Sequence, residues 1–497
     1  MSPLPTPLLL SADDRADLQG FVTSGFGHLP STFYAFLTFG ESEYARRWIR
    51  SVATSVTTAR SWRNQPGLPK SKPVRTFNLA FTAAGLKTLG LPTSSLETFP
   101  GEFLQGMALE ERSRILGDTG TNAPAHWHLG GPQQPPIHAI AILHAASPNE
   151  LDQDRDRFLT ACAAHGLTLS AEEFGQRPTD DREPFGFRDG IAQPQMEGIH
   201  GQGVRTGEFI LGYVNEYGYL PVAPLVEPCD DPRNLLPPSN NPHQSGWHDL
   251  GRNGTYLVYR KLQQHVTRFW SFIANESKRM HGSADPNIMA WLAAKMMGRW
   301  PDGTPATLSP DREDPSMTDA DSFLYAAHDS AGRGCPFGAH IRRMNPRDHL
   351  PPAADIESLH MTARHRLLRR GRPFGLSSHP VPFADRLASF AATFNRSDPI
   401  VDSTPTGIHF LCLNASIKRQ FEFLQQAWAN NPQFAGLTRN PDPIIGNRDS
   451  SDLNPCMRIP GARFEFRTAP LPEFVTVRGG AYFFMPGLRA LQFLAGT

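Results

Sequence analysis

The chain has 497 residues, of which 39% are hydrophobic and 19% are charged. This composition excludes wholesale disorder, which needs low hydrophobicity and a high net charge, and the length predicts about two to four lobes. The chain has 48 basic residues (Lys and Arg) and 48 acidic residues (Asp and Glu), so its formal net charge is zero. This balance argues against a dedicated nucleic-acid-binding protein, which usually has an excess of basic residues.

Residues 1–175 alternate between β-rich and helical segments. The predicted elements are, in order, strand Phe33–Phe39, helix Glu41–Thr57, strand Phe77–Phe81, helix Thr82–Leu89, strand Ile137–Leu143, helix Glu150–His165 and strand Leu167–Phe174. The order β-α-β-β-α-β is typical of a ferredoxin-like fold. The sequence therefore predicts an N-terminal ferredoxin-like unit over residues 1–175.

A similar order recurs in residues 176–497, after connectors rich in proline and glycine. The predicted elements there are strand Thr255–Tyr259, helix Leu262–Ile273, strand His409–Leu413 and helix Ile417–Trp428. The stretch 278–405 is predicted to be irregular, and we interpret it as a functional insert because it contains many aromatic and apolar residues. The predicted fold class is α+β, with a second, C-terminal ferredoxin-like unit that carries long loops.

Five cysteines are scattered along the chain without a C-x-x-C pair. The odd number and the spacing argue against a disulfide framework and against a structural zinc site. The N-terminus has no basic region before its three-leucine run, and no apolar run approaches the roughly 18 residues that span a bilayer. The sequence thus predicts a cytoplasmic protein with no secretory signal and no membrane segment.

The loop PFGFRDGIAQP, residues 184–194, is the first candidate for chemistry. Gly186 and Gly190 bracket Asp189, and glycine lets a backbone turn sharply or approach a flat ligand closely. The alternative is an ordinary tight turn, in which aspartate is common. Composition alone favours the turn.

The segment GCPFGAHIRR, residues 334–343, contains two side chains that can bind iron. Cys335 does not fit the Arg-x-Cys-x-Gly spacing of thiolate haem enzymes, because Phe337 stands where the glycine is required and Gly338 comes one residue later. His340 is the better ligand, since it follows an apolar lead-in and precedes cations. The alternative is a buried core histidine beside a solvated basic face.

Two further segments carry charged residues. The run RHRLLRRGRPFG, residues 364–375, is typical of a solvated surface or an anion-binding patch. Glu422 lies between two phenylalanines on a predicted helix, where it is either partly buried or exposed and paired with Lys418. Together with Asp189 and His340, these segments supply the acids, cation and imidazole that a haem peroxidase site needs.

Several segments, in this order along the chain, resemble the dye-decolourising peroxidase family. The loop at 186–190 matches the family motif G-x-x-D-G, and CPFGAHIRRMNPR at 335–347 matches the proximal-histidine segment of its longer members. The other similar segments are residues 17–27, 78–91, 116–118, 367–375, 410–428 and 474–486. The resemblance covers nearly the whole chain, and it outweighs the bland interpretation of each motif taken alone.

The resemblance implies a fold and a set of roles. Two ferredoxin-like units would pack as a sandwich or barrel, the dimeric-ferredoxin architecture, with one haem b held mainly by the C-terminal unit. Asp189 would be the distal acid–base, His340 the proximal iron ligand and Arg369 the distal arginine, with Arg370 as the neighbour to be distinguished from it. The other implied residues are Glu422 as the acid on the proximal histidine, Arg343 as a haem-propionate partner, and Gly186, Phe187 and Gly190 as cofactor-binding residues.

The function implied is a peroxidase that uses hydrogen peroxide to oxidise dyes, phenols or similar one-electron donors. Because dyes are too large for a buried haem edge, the resemblance also implies electron transfer from a surface tryptophan or tyrosine. One alternative is a haem-binding or haem-handling protein, which needs His340 but neither Asp189 nor Arg369. Another is a non-haem α+β binding module whose arginine run contacts an anionic partner. The sequence leaves open whether the chain forms an oligomer.

Overall fold

The N-terminal unit has the predicted β-α-β-β-α-β order. In the computed structural model its elements are β1 (Ser31–Thr38), α1 (Ser42–Val52), β2 (Arg75–Phe81), β3 (Ala139–Ala145), α2 (Pro148–Ala164) and β4 (Thr168–Gln176). The described residues are 10–60, 72–241, 244–350, 353–376, 381–396, 404–448 and 454–496. The strands pair antiparallel in the order β4-β1-β3-β2, which confirms the ferredoxin-like prediction.

The C-terminal unit repeats this design with longer connections. Its elements are β5 (Thr255–Gln264), α3 (Val266–His281), α4 (Pro286–Met297), β6 (Leu368–Arg369), β7 (Arg372–Phe374), α5 (Phe383–Asn395), β8 (Thr406–Asn414), π-helical turns at Lys418–Glu422 and Leu424–Ala429, β9 (Val475–Met485) and α6 (Leu488–Leu494). The short strands β6 and β7 both pair with β8, and β5 lies between β8 and β9. The unit is therefore also ferredoxin-like.

Shorter elements connect and flank the two units. The short helices include Ala12–Asp17, Gly20–Thr23, Ala83–Thr88, Thr93–Leu96, Gly101–Gln105, Glu110–Leu116, Tyr325–Asp329, His340–Met344 and Asp355–Ala363. Small two-stranded sheets in the described part of the chain pair Leu225–Val226 with His248–Asp249, His349–Leu350 with Ala353–Ala354, and Arg458–Pro460 with Glu465–Arg467.

The two sheets join where β9 pairs with β2, and their inner faces pack against each other. Phe36 of the first sheet meets Tyr259 of the second with ring centroids 4.9 Å apart. At the opposite edges, His409 Nε2 of β8 lies 3.1 Å from the Phe174 carbonyl oxygen of β4. The sheets thus enclose an apolar core, and helices cover their outer faces. This is the predicted sandwich architecture.

One predicted boundary in the second unit is wrong. The segment Leu262–Ile273 was expected to be helical throughout, but β5 continues to Gln264 and α3 begins at Val266. Leu262 and Gln264 are two residues apart and lie on the same face of the sheet, and both pair with residues of β8 and β9. Cross-strand pairing on both sides therefore extends the strand beyond the point where the helical spacing was taken to begin.

The expectation that 278–405 is irregular is also wrong, since this stretch contains α4, α5 and the helix Asp355–Ala363. Helix α4 shows the reason. Pro286 occupies its first turn, where a missing amide hydrogen has no cost, and the Asp285 side chain accepts hydrogen bonds from two first-turn amides at 2.8 and 3.1 Å. Gly298 ends the helix at φ +98°. The proline that suggested irregular structure marks a helix start.

Other expectations concern compartment and organisation. All five cysteines are free. Within the described ranges, no helix is long and apolar enough to cross a membrane. The sequence predicts that the N-terminal segment is not a secretory signal. Residues 1–9 of that segment lie outside the described residues. The division of the chain at 175/176 stays a prediction.

Candidate active site

A cavity of about 550 Å³ lies on the outer face of the C-terminal sheet. Leu262 of β5 and Ile408 and Phe410 of β8 line it, whereas Tyr259 and His409 point to the opposite, inner face. Most of the lining residues belong to 176–497. The volume falls within the range of about 300–1,000 Å³ that small-molecule and cofactor sites occupy.

The loop 183–190 brings Asp189 to the cavity wall. Gly186 has φ +101°, and a Cβ added there would lie 2.3 Å from the Phe383 ring, so both the conformation and the packing require glycine. Gly190, at φ +85°, donates its amide hydrogen to Asp189 Oδ1 at 2.6 Å. Gly190 and Phe187 also line the cavity, while Gly186 lies behind the loop. The two glycines thus shape a loop that presents one carboxylate.

Glu183 supports this loop from below. Its carboxylate accepts hydrogen bonds from the amides of Phe185 and Phe187, at 3.0 and 2.9 Å, and from Gln264 Nε2 at 2.6 Å. Complete burial, with a smaller contribution from the Asp189 charge, raises the pKa of Glu183 to about 7. The loop therefore rests on a second carboxyl group that lines the same cavity.

The two adjacent arginines of β6 and its following turn both line the cavity, but their guanidinium groups have different partners. The Arg369 guanidinium makes a long contact, 3.4 Å, from Nη2 to the Ala192 carbonyl oxygen. Arg370 instead donates from Nε to the Phe21 carbonyl at 2.9 Å and from Nη2 to the Val22 carbonyl at 2.7 Å. The Arg370 guanidinium is therefore held by hydrogen bonds to the N-terminal segment. The Arg369 guanidinium is better placed to bind a ligand.

His340 begins a short helix on another wall of the cavity. Its Nδ1 lies 2.8 Å from Asp442 Oδ2, and Asp442 Oδ1 accepts the amides of Ile444 and Ile445 at 2.8 and 3.0 Å. Burial acts to raise the pKa of Asp442, but the interactions with His340, the Ile445 amide and Arg343 together hold that pKa below its usual value. An ionised carboxylate only accepts, so Nδ1 donates and Nε2 is left for a ligand.

Glu422 does not occupy the predicted position beside His340. It is buried, with Oε2 accepting from Arg112 Nη1 at 3.0 Å and Oε1 accepting from the Tyr482 hydroxyl at 2.9 Å. The prediction that Glu422 orients the proximal histidine is therefore contradicted, because Asp442 makes that hydrogen bond. The π-helical turn, in which the Glu422 amide bonds the carbonyl five residues earlier, also removes the alternative of an exposed i, i+4 pair.

Arg343 does not line the cavity either. It is fully buried and donates to the backbone carbonyls of Trp428, Asn431 and Asn440. The predicted propionate role is contradicted, since these carbonyls hold the guanidinium in the chain segment that leads to Asp442. Arg366, by contrast, lines the cavity, and burial lowers its pKa to about 10.

Sequence reasoning missed Asp442. The residue stands between two prolines, and its side chain accepts amides two and three residues later, a pattern that turns commonly show. Such a turn carries no signal that the second oxygen of the carboxylate binds a histidine 102 residues away. Asp118 and Arg260, a buried ion pair at 2.5 Å on the cavity wall, were missed for the same reason.

Comparison with known proteins shows to which family the chain belongs. It is 30% identical to the multifunctional dye peroxidase of an Amycolatopsis species, over 92% of this chain and 91% of that protein. It is 26% identical to a dye-decolourising peroxidase of Mycena epipterygia, over 98% and 88%. The chain belongs to the dye-decolourising peroxidase family. It is a peroxidase, as the resemblance implied.

Solved structures agree in fold. The dye-decolourising-type peroxidase of an Anabaena species superposes with a TM-score of 0.73 at 24% identity, over 97% of this chain and 95% of that one. The enzyme from Auricularia auricula-judae gives the same TM-score and identity, over 97% and 99%. No protein-family model matches the chain. The chain therefore has the dye-decolourising peroxidase fold.

Proposed function

We propose that this peroxidase binds haem b and uses hydrogen peroxide to oxidise dyes, phenols and similar one-electron donors. The observation that carries the proposal is that Asp189, Arg369 and His340 line one cavity, with His340 held by a buried carboxylate. The names of the relatives fit this substrate class, and one structure of the same fold is a complex with 2,6-dimethoxyphenol. The five free cysteines favour a cytoplasmic location.

The residues of the cavity fit a haem group. His340 offers one imidazole nitrogen, and Leu262, Ile408 and Phe410 provide apolar wall. Arg366 offers a cation for a carboxylate substituent. Asn345 Oδ1 is buried on the same wall without a hydrogen-bond partner among the described residues. Haem, when bound, supplies an iron that coordinates peroxide and takes up its oxidising equivalents.

On the peroxide side, Asp189 would act as general base and then general acid. Its carboxylate accepts a proton from hydrogen peroxide and returns it to the departing oxygen. The fixed donors of the Arg369 guanidinium stabilise the negative charge that develops on that oxygen. Glu183 holds the loop, so Asp189 keeps its position while the proton moves.

Asp442 would orient His340. A carboxylate on Nδ1 fixes the tautomer and raises the basicity of Nε2. The two amides on Asp442 Oδ1 hold the carboxylate itself in place. The imidazole is thereby a stronger electron donor than one bonded to a neutral group.

The two arginines make a direct test of the assignment. We expect Arg369→Leu to slow the reaction with peroxide by about 10²–10³-fold, because a charge-stabilising donor is lost. Arg370→Leu should mainly lower the thermal unfolding midpoint, since the carbonyls of Phe21 and Val22 lose their donor. Stopped-flow absorbance and thermal unfolding measure the two effects. A larger kinetic loss in Arg370→Leu would reverse the assignment.

A surface tyrosine pair is the candidate for bulky donors. Tyr217 and Tyr219 are 39% and 57% exposed and stack with ring centroids 5.6 Å apart. The Arg364 guanidinium lies 4.2 Å from the Tyr217 ring, and Arg366, two residues further along the chain, lines the cavity. The pair is thus exposed to solvent, and the arginine packed on Tyr217 is close in sequence to a residue of the cavity wall.

We expect the double variant Tyr217→Phe/Tyr219→Phe to lose most turnover of bulky dyes while its reaction with peroxide keeps the wild-type rate. Phenylalanine preserves the packing but is far harder to oxidise than tyrosine. Tyr44→Phe is the matched control, because Tyr44 is also exposed, at 48%, and also carries an arginine, Arg47, over its ring. Equal dye turnover in all three proteins would remove the pair from the proposal.

The absorption spectrum of the haem-loaded protein, before and after one equivalent of hydrogen peroxide, tests the function as a whole. A histidine-ligated Soret band that shifts reversibly to that of an oxidised enzyme supports the proposal. A band that only bleaches favours the haem-handling alternative. The lack of any Soret band after loading would overturn the haem assignment.

A further inference from the structure

A buried tyrosine–carboxylate pair adjoins the cavity. Tyr482 and Glu422 are each 2% exposed, and the Tyr482 hydroxyl donates to Glu422 Oε1 at 2.9 Å. Phe421, which lines the cavity, meets the Tyr482 ring edge-on with centroids 6.2 Å apart. Arg260, another lining residue, lies over the Phe421 ring. The Phe421 ring therefore lies between Tyr482 and the cavity in which oxidising equivalents would arise.

We propose that Tyr482 is an internal electron donor of this peroxidase and that Glu422 is its proton acceptor. This inference rests on the proposed function, in which hydrogen peroxide takes two electrons from the enzyme and its departing oxygen leaves as water. Tyr482 returns one of those electrons to the oxidised site. Its O–H bond breaks as the proton passes to Glu422 Oε1, which leaves a neutral tyrosyl radical beside a neutral carboxylic acid. An external reductant then restores the electron, and the proton returns to the phenolate oxygen.

The surroundings of the pair favour this coupled transfer. Burial raises the pKa of Tyr482 well above its usual value, so the phenol does not ionise before it is oxidised. Burial also raises the pKa of Glu422 above its usual value, which makes the carboxylate a better proton acceptor. Arg112, on the other carboxylate oxygen, is 16% exposed and keeps contact with solvent after Glu422 is neutralised. Glu422 therefore takes up the proton as the electron leaves, so no positive charge remains on Tyr482.

A second buried tyrosine supplies the contrast. Tyr259 bonds His409 Nδ1 at 2.8 Å, but both side chains lie on the inner face of the sheet, away from the cavity. Burial lowers the pKa of His409 to about 3, so this imidazole is a weak proton acceptor. Tyr482 has both the shorter connection to the cavity and the stronger base.

Freeze-quench electron paramagnetic resonance of the haem-loaded protein, after one equivalent of hydrogen peroxide, tests the inference. The Tyr217→Phe/Tyr219→Phe protein serves as background, so that the surface pair cannot give the signal. We expect an organic radical whose line narrows when the protein carries ring-deuterated tyrosine. Adding Tyr482→Phe should remove this signal. Adding Glu422→Gln, which keeps a hydrogen-bond acceptor but cannot take the proton, should greatly reduce it.

The control is Tyr259→Phe in the same background, which should keep the radical. A tyrosyl signal that survives Tyr482→Phe, or disappears only in Tyr259→Phe, overturns the inference while the Soret response to peroxide leaves the proposed function intact. The same holds if the Soret band responds and no tyrosyl signal forms. A protein whose Soret band does not respond to peroxide overturns the proposed function, and this inference with it.

Discussion

Replacing His340 by alanine is expected to abolish the histidine-ligated absorption band of the haem-loaded protein. His340 and Asp189 line the same cavity, and the Nδ1 atom of His340 is already bonded to Asp442. Without it, the iron would lose its protein ligand, and haem would be retained only by apolar contact and charge. Haem titration followed by absorbance measures both the affinity and the band position.

The Asp442 carboxylate, which is bonded to His340, provides a second test of the same assignment. Asp442→Asn removes the charge but keeps a side chain of the same shape, and we expect it to lower haem affinity or activity by about 10–100-fold. Glu422→Gln should leave the ferric spectrum and haem affinity unchanged, because Glu422 bonds Tyr482 and Arg112 instead. If Glu422→Gln shifted the spectrum as much as Asp442→Asn, the geometry described for the proximal side would be wrong.

The fold was largely predictable because its buried strands appear in the sequence as continuous apolar runs. All but one residue of β1 are buried, and all of β3 is, so β-rich apolar runs had to appear in the sequence. The errors occur where tertiary contacts decide the structure. Strand β5 extends through Leu262 and Gln264 because β8 and β9 pair with it on both sides. Local periodicity cannot contain that information.

The candidate site likewise contains some residues that the sequence could propose and others that only the fold brings to it. Asp189, His340 and Arg369 each lie in a contiguous motif, so the sequence could propose them as candidates, and the structure brings all three to one cavity. Asp442 lies in a separate proline-flanked loop, and only the fold brings it to His340. Arg343 is three residues from His340 along one helix, yet it bonds backbone carbonyls in the core. Proximity in sequence to a ligand does not decide which side chain reaches the cofactor.

Asp189→Ala is expected to slow the reaction with hydrogen peroxide by about 10²–10⁴-fold, the usual contribution of a positioned general acid–base, while the ferric absorption spectrum stays that of a haem-bound protein. The substitution removes the proton acceptor but leaves His340 and the apolar walls of the cavity in place. Stopped-flow measurement of the Soret change at several peroxide concentrations gives the rate constant. Asp319→Asn is the matched control, because Asp319 is an exposed carboxylate that pairs with Arg188 of the same loop at 3.1 Å.

The pH dependence identifies which carboxyl group is the base. The wild-type rate should fall on acidification, since only an ionised carboxylate accepts the peroxide proton, and this fall should vanish in Asp189→Asn. Glu183 is the competing group on the same wall, and burial raises its pKa to about 7. If Glu183 were the base, the rate would already decline as the pH drops through about 7, and Glu183→Gln would flatten the profile. A slope that persists in Asp189→Asn and disappears in Glu183→Gln would transfer the role to Glu183, whereas the opposite pair of results leaves Glu183 as the support of the loop.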